Sequence, residues 1–179
     1  MTPSGRRSAG LVPFRRTPDG VEVFLGHMGG PFWRGREAGA WTVLKGEHGD
    51  DEPPLAAAER EFVEETGLPV PAGPRIPLGS VRQRAGKTVT AWAVEADLDP
   101  EAAVSGTFPL EWPRGSGRVV EVPEIDRHAW LSLTDARRLL VAAQAELVDR
   151  LADADAGADA GADADAVADA EAGAADDEG

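Results

Sequence analysis

Three glutamates carry the strongest chemical signal in this sequence. Glu61, Glu64 and Glu65 lie in the run LAAAEREFVEETGL. On an α-helix, residues three and four apart are neighbours, so these carboxylates share one face. Like charges at that spacing repel and cost helix stability. A hard cation would neutralise them, and magnesium, which prefers oxygen ligands, is the natural candidate.

The residues around them are those needed to hold such a helix. Pro53 and Pro54 suit a helix start, where amide donors have no partner in any case. Glu52 stands close to that N-terminus, where negative charge is favourable. Leu55, Ala58 and Phe62 share a face and can pack on a sheet while the acids point away. Arg60 can offset part of the carboxylate repulsion, and Gly67 sits where a left-handed turn would end the helix.

Nine positions of this stretch have a further regularity. Gly46 is followed at fixed spacing by Glu52, Arg60, Glu61, Phe62, Glu64, Glu65, Gly67 and Leu68. This resembles the Nudix box in full, and so many fixed positions carry far more than a lone glycine motif would. The resemblance implies hydrolysis of a pyrophosphate bond in a nucleoside diphosphate linked to another group. It implies Mg2+, with Mn2+ as a substitute, held by Glu61, Glu64, Glu65 and the Gly46 carbonyl. Glu52, Arg60 and Gly67 become structural members of the motif. The general base varies across the family, so Glu61, Glu64 and a distal glutamate all stand as candidates.

The resemblance extends over roughly residues 8–151. Lys45, next to last in the segment WTVLKG that leads into the box, is a candidate substrate-binding residue. Lys87, before TVTAW, is similar to a lysine that meets phosphates in asymmetric diadenosine tetraphosphate hydrolases. Glu124, in PEIDRHAW, resembles the distal glutamate of the same relatives, with Glu121 as its competitor. The glycine-rich stretch HMGGPFWRGR offers Trp33 for stacking on a base and Arg34 for phosphate. His27 and His128 read as structural. The implied substrate is a dinucleoside polyphosphate such as diadenosine tetraphosphate. The alternatives are a nucleoside triphosphate pyrophosphohydrolase of the MutT type and a non-catalytic Nudix nucleotide sensor.

The rest of the chain supplies the frame. Residues 8–16 read as a first strand, with Pro13 suggesting an edge or a bulge. The turn at residues 17–20 and the strand at 21–27 complete a hairpin. Residues 28–40 have no period of either kind and read as a long loop. Residues 78–84, 88–96, 107–112 and 119–122 read as further strands. A last helix follows, with Thr134 as its expected N-cap and leucines 133, 140, 147 and 151 near one face. The implied fold is α/β (α+β), a mixed sheet sandwiched between helices.

Composition separates a tail from this frame. The 179 residues carry a formal charge of −14, but ten of the 32 acids and none of the 18 bases fall in residues 152–179. Without them the charge is −4, which argues against general nucleic-acid binding and leaves room for a local basic pocket. The expected division is a Nudix domain over residues 1–151 and a disordered acidic tail over 152–179. There is no cysteine, which excludes disulfides and thiol catalysis. No signal peptide or membrane span is read, so a cytoplasmic monomer or homodimer is expected, acting on a small-molecule nucleotide.

Overall fold

The computed structural model describes the backbone of residues 6–174 and the side chains of residues 6–162. Seven strands form one mixed sheet. β1 (Arg7–Thr17) and β2 (Gly20–Met28) make the expected hairpin, closed at Thr17 and Gly20. β3 (Trp41–Thr42) pairs with β2, and β4 (Leu44–Glu47) pairs with β1. β5 (Ile76–Arg82) and β6 (Thr88–Glu95) form a second hairpin, and β6 runs parallel to β1. β7 (Thr107–Glu111) and β8 (Val119–Pro123) stand apart as a two-stranded ribbon. β9 (Ile125–Ser132) returns to the main sheet against β2.

Two hydrophobic layers enclose this sheet. On one face, α1 (Pro54–Thr66) buries Ala57, Ala58 and Phe62 against Ala9, Leu11, Phe24 and Leu44. On the other, α2 (Leu133–Leu139) and α3 (Ala145–Ala174) bury Ala136, Leu139, Leu147, Val148 and Leu151 against Val12, Phe14, Val23, Val89 and Ala91. Each large side chain so buried contributes roughly 1.5–3 kcal/mol. This is the mixed sheet between helices that the motif implies.

Several details differ from the sequence reading. β1 is interior, with β6 on one side and both β2 and β4 on the other, so Pro13 does not mark an edge. Pairing to β4 ends at Leu11 and pairing to β2 begins at Phe14. Pro13 occupies the gap, where its missing N–H breaks no ladder bond on that side. The final helix is not continuous and does not start from Thr134. Ser132 caps α2 by accepting from the Asp135 amide at 3.1 Å. The chain then straightens at Leu140, where the Val141 amide bonds the Trp41 carbonyl at 2.9 Å, and restarts through a short 3-10 turn, Ala142–Gln144. The strand β9, Ile125–Ser132, is also absent from the strands expected from the sequence.

The helical backbone also continues past the expected boundary, through Ala174. Alanine favours helix, and a helical backbone satisfies its own hydrogen bonds without tertiary partners. Among the described residues Leu151 is nevertheless the last buried side chain, so packing ends where the composition changes. Residues 1–5 and 175–179 of the expected domain and tail lie outside the described residues. Among the described residues no helix is long and apolar enough to cross a membrane.

Candidate active site

The helix α1 exists for the local reasons its sequence offers. Proline occupies its first turn, alanines follow, and Gly67 closes it at φ 66°, with its N–H on the Val63 carbonyl at 2.7 Å. A residue with a side chain would be strained in that left-handed turn. The Thr66 hydroxyl bonds the Phe62 carbonyl at 2.6 Å and receives the Leu68 amide at 3.1 Å, tightening the exit.

Burying Phe62 fixes the rotation of the helix and decides how deep each acid lies. Glu61 is only 7% exposed and Glu65 only 6%, whereas Glu64 is exposed. The Lys45 amide donates to one Glu65 oxygen at 2.8 Å. Burial pushes the Glu65 carboxyl up to about 8, against the pull of Lys45, and the charges of Glu61 and Glu124 push the same way. Burial also raises Glu61, opposed by its bond to Arg60 and reinforced by Glu64 and Glu124. The Lys45 ammonium is lowered, chiefly by burial.

Arg60 organises the rest of the motif. Its guanidinium takes both Glu52 oxygens, at 2.8 and 2.9 Å, then Glu61 at 2.7 Å, Glu64 at 3.2 Å and the Glu47 carbonyl at 3.3 Å. Arg60 thus supplies the positive charge that the three acids lack, and it ties the loop before α1 to the helix. Glu52 is lowered by this bond. Gly46 lies against Glu61 so closely that a Cβ there would fall 1.9 Å from the Glu61 carboxyl carbon. Its glycine therefore leaves space for a carboxylate.

Glu124 joins these residues through the backbone. The Gly106 and Val104 amides bond the Glu64 and Thr66 carbonyls at 3.0 and 2.8 Å. Glu124 then donates its amide to Gly106 at 2.9 Å and accepts from the Gly29 amide at 2.9 Å. The His128 ring bonds the Glu65 carbonyl at 2.8 Å. A continuous strap thus runs from the end of α1 through the β8–β9 junction to the root of the loop at residues 29–40. Glu124 is exposed on that strap, with its charge acting on both Glu61 and Glu65. Glu121, its competitor, instead accepts from the Thr107 hydroxyl on the ribbon.

Beyond Lys45 opens a cavity of about 540 Å3. Trp33 lines it from the loop, Met28, Lys45 and Thr42 from the sheet, Gln83 and Arg84 from the β5–β6 turn, and Val141 to Gln144 from the break between helices. The loop that presents Trp33 is anchored. Buried His27 bonds the Arg36 carbonyl at 2.6 Å and Asp126 at 2.7 Å, and the Trp41 indole bonds Glu37 at 3.0 Å. Arg34 is exposed and is not among the cavity-lining residues, and Lys87 pairs with Glu47 at 3.3 Å beside Lys45. Gln83, Arg84 and Gln144 escaped the sequence reading. The first two fell at the end of the expected strand 78–84, which in fact stops at Arg82, and Gln144 looked like one residue of a helix.

The donor set suits a hard cation. It is all oxygen, and hydrogen bonds occupy one oxygen each on Glu61 and Glu65 among the described residues. No three carboxylate or imidazole groups converge at metal-holding distance among the described residues. Arg60 bonds one oxygen each of Glu61 and Glu64 and leaves the second oxygen of each for a cation.

Comparison with known proteins agrees with this architecture. No curated protein matches the chain in sequence. Among solved structures, the Ap4A hydrolase of C. elegans in a binary complex superposes with TM-score 0.60 at 22% identity, covering 84% of this chain and 98% of that one. A mutT/nudix family protein from Listeria innocua gives 0.56 at 20% identity over 88% and 97%. The Nudix domain of Shewanella oneidensis NrtR, complexed with ADP ribose, gives 0.55 at 14% identity over 84% and 88%. These likenesses establish the fold. The NUDIX domain family matches residues 5–151, the whole of the packed region together with the complete motif, and the chain belongs to the Nudix family.

Proposed function

We propose that this chain is a divalent-metal-dependent pyrophosphohydrolase that cleaves a phosphoanhydride bond in a nucleotide. The observation that carries this reading is the pair Glu61 and Glu65, buried side by side on α1 with free oxygens and with Glu124 nearby. Two buried carboxylates without full hydrogen bonding are costly unless a cation joins them. Nudix hydrolases generally use divalent ions such as Mg2+. Glu61, Glu64, Glu65 and the Gly46 carbonyl would hold the ion, and when bound it supplies charge neutralisation at the phosphate oxygens.

The protein's own groups divide the remaining work. Glu124 is the base in this reading, because it is exposed and unburdened by Arg60. Water forms a new O–P bond, its proton passes to the Glu124 carboxylate, and the anhydride P–O bond breaks with its electrons on the leaving phosphate. Glu61 and Glu64 remain the competing bases. Arg60 and Glu52 keep the loop in register. Lys45 and Lys87 meet phosphates, and Trp33 stacks on a base. Arg34 lies outside the cavity lining and meets phosphate only at its rim.

The leading substrate is a dinucleoside polyphosphate such as diadenosine tetraphosphate. Its support is the adjoining cavity, lined by Trp33 and by cations without an acid. A nucleoside triphosphate is the alternative of the same chemistry. A sensor role fits less well, because every acid of the motif is retained. The reading places the protein in the cytoplasm, with no nucleic-acid or membrane partner. It is tested by Glu65→Gln with Mg2+ over a panel of dinucleoside polyphosphates, triphosphates and nucleotide sugars. Hydrolysis by the wild type and a loss of about 100-fold or more in the variant are expected. Undiminished activity in the variant would sink the metal assignment.

A further inference from the structure

The β5–β6 turn has a backbone cost that nothing in the motif explains. Ala85 adopts φ 66° and ψ 14°, the left-handed region, which costs a residue with a Cβ roughly 1 kcal/mol. Among the described residues Ala85 is the one non-glycine with positive φ. The turn is closed by the Gln83 amide on the Lys87 carbonyl at 2.8 Å and the Gly86 amide on Gln83 at 3.2 Å. Its effect is to present Gln83 and Arg84 to the cavity while Lys87 turns to Glu47. Strain held in place by surrounding structure points to a use for the residue it presents.

That residue is Arg84. Among the described residues its guanidinium makes no ion pair and no hydrogen bond, although it lines the cavity with Lys45. The lining contains these two cations and no carboxylate. Sugar hydroxyls would find few free acceptors here. Gln144 is fully buried, and its amide is engaged with the Thr42 hydroxyl and the Val43 amide. The cavity therefore favours further anionic groups, with Trp33 and the apolar wall at Val141 to Ala143 left for a base.

We propose that Arg84 reads phosphate-chain length: its planar guanidinium binds phosphates that extend past the cleaved anhydride, so the site selects nucleotides with four or more phosphates over nucleoside diphosphate sugars. This rests on the nucleotide reading above and narrows it to polyphosphates. Bidentate, charge-assisted bonds are what a guanidinium offers a phosphate and a lysine offers only in part.

Calorimetry on the full chain tests the inference with a non-cleavable, methylene-bridged diadenosine tetraphosphate and with ADP-ribose as the short-chain probe. Arg84→Ala is expected to weaken tetraphosphate binding about tenfold or more and to change ADP-ribose binding less than twofold, with partial recovery in Arg84→Lys. Arg84 is exposed, and circular dichroism checks that the variants are folded. Equal losses on both probes, no loss on the tetraphosphate, or no tetraphosphate binding by the wild type would each overturn it. The two readings fail separately. Arg84-dependent tetraphosphate binding in a protein that hydrolyses nothing keeps the inference and removes the hydrolase. Hydrolysis with an Arg84-insensitive preference for ADP-ribose does the reverse.

Discussion

Gly46→Ala isolates the geometry of the carboxylate cluster from its chemistry, because it removes no charge and no donor. The new Cβ would lie 1.9 Å from the Glu61 carboxyl carbon and 2.0 and 2.1 Å from its oxygens, where ordinary contact begins at 3.4 Å. The Glu61 carboxylate must therefore retreat by about 1.5 Å. The clash falls on the end of a flexible side chain rather than on backbone, and Gly46 lies in a strand, so stability should change by less than about 1 kcal/mol. Glu61 would also leave its 2.7 Å bond to Arg60. A displacement of that size at a positioned group costs on the order of 100-fold in rate. The assay is kcat/KM with Mg2+ beside urea denaturation of the same preparations. Full activity in a folded Gly46→Ala protein would refute the placement of Glu61 at the reaction. A stability loss as large as the activity loss would refute the claim that the side chain alone moves.

Other positions give sharper structural tests. Gly29→Ala puts a Cβ 2.0 Å from the Pro123 carbonyl oxygen, a backbone atom next to Glu124, so both stability and kcat should fall, the former by about 1–3 kcal/mol in urea. Gln144→Leu leaves the buried Val43 amide without its 2.8 Å acceptor and should cost about 1–3 kcal/mol in the same measurement. Arg60→Lys keeps the charge but loses the two-pronged hold on Glu52, so kcat should drop while thermal unfolding moves little; an unchanged kcat would count against the bracing role. Removing residues 158–179 spares the Arg16–Asp155 pair and every buried side chain described, and should alter stability by no more than about 0.5 kcal/mol.

The legible parts of this protein were the local ones. Helix α1 could be read because its start, its apolar face and its glycine exit are contained in consecutive residues. The hairpins at Thr17–Gly20 and between β5 and β6 were legible for the same reason. Pro13 misled because its meaning depends on which strands flank β1, and those arrive from elsewhere in the chain. The last helix misled because leucines at helical spacing do not reveal that Trp41 binds the backbone at Val141 and Gln144 turns inward to Thr42 and Val43. Such interruptions are made by partners about a hundred residues away.

The same division holds at the site. Spacing alone put three carboxylates on one helix face and identified the family, because helix periodicity is a property of the local backbone. Depth could not follow from spacing. Glu61 and Glu65 are buried and Glu64 is exposed because Phe62 packs into the sheet and fixes the rotation of α1. Sequence named Glu124 as a candidate, but its place beside the cluster depends on backbone bonds through Gly106 and Gly29. The cavity is the clearest case. Trp33, Lys45, Arg84 and Gln144 come from four separate segments, and only closure of the sheet and the break between α2 and α3 bring them to one space.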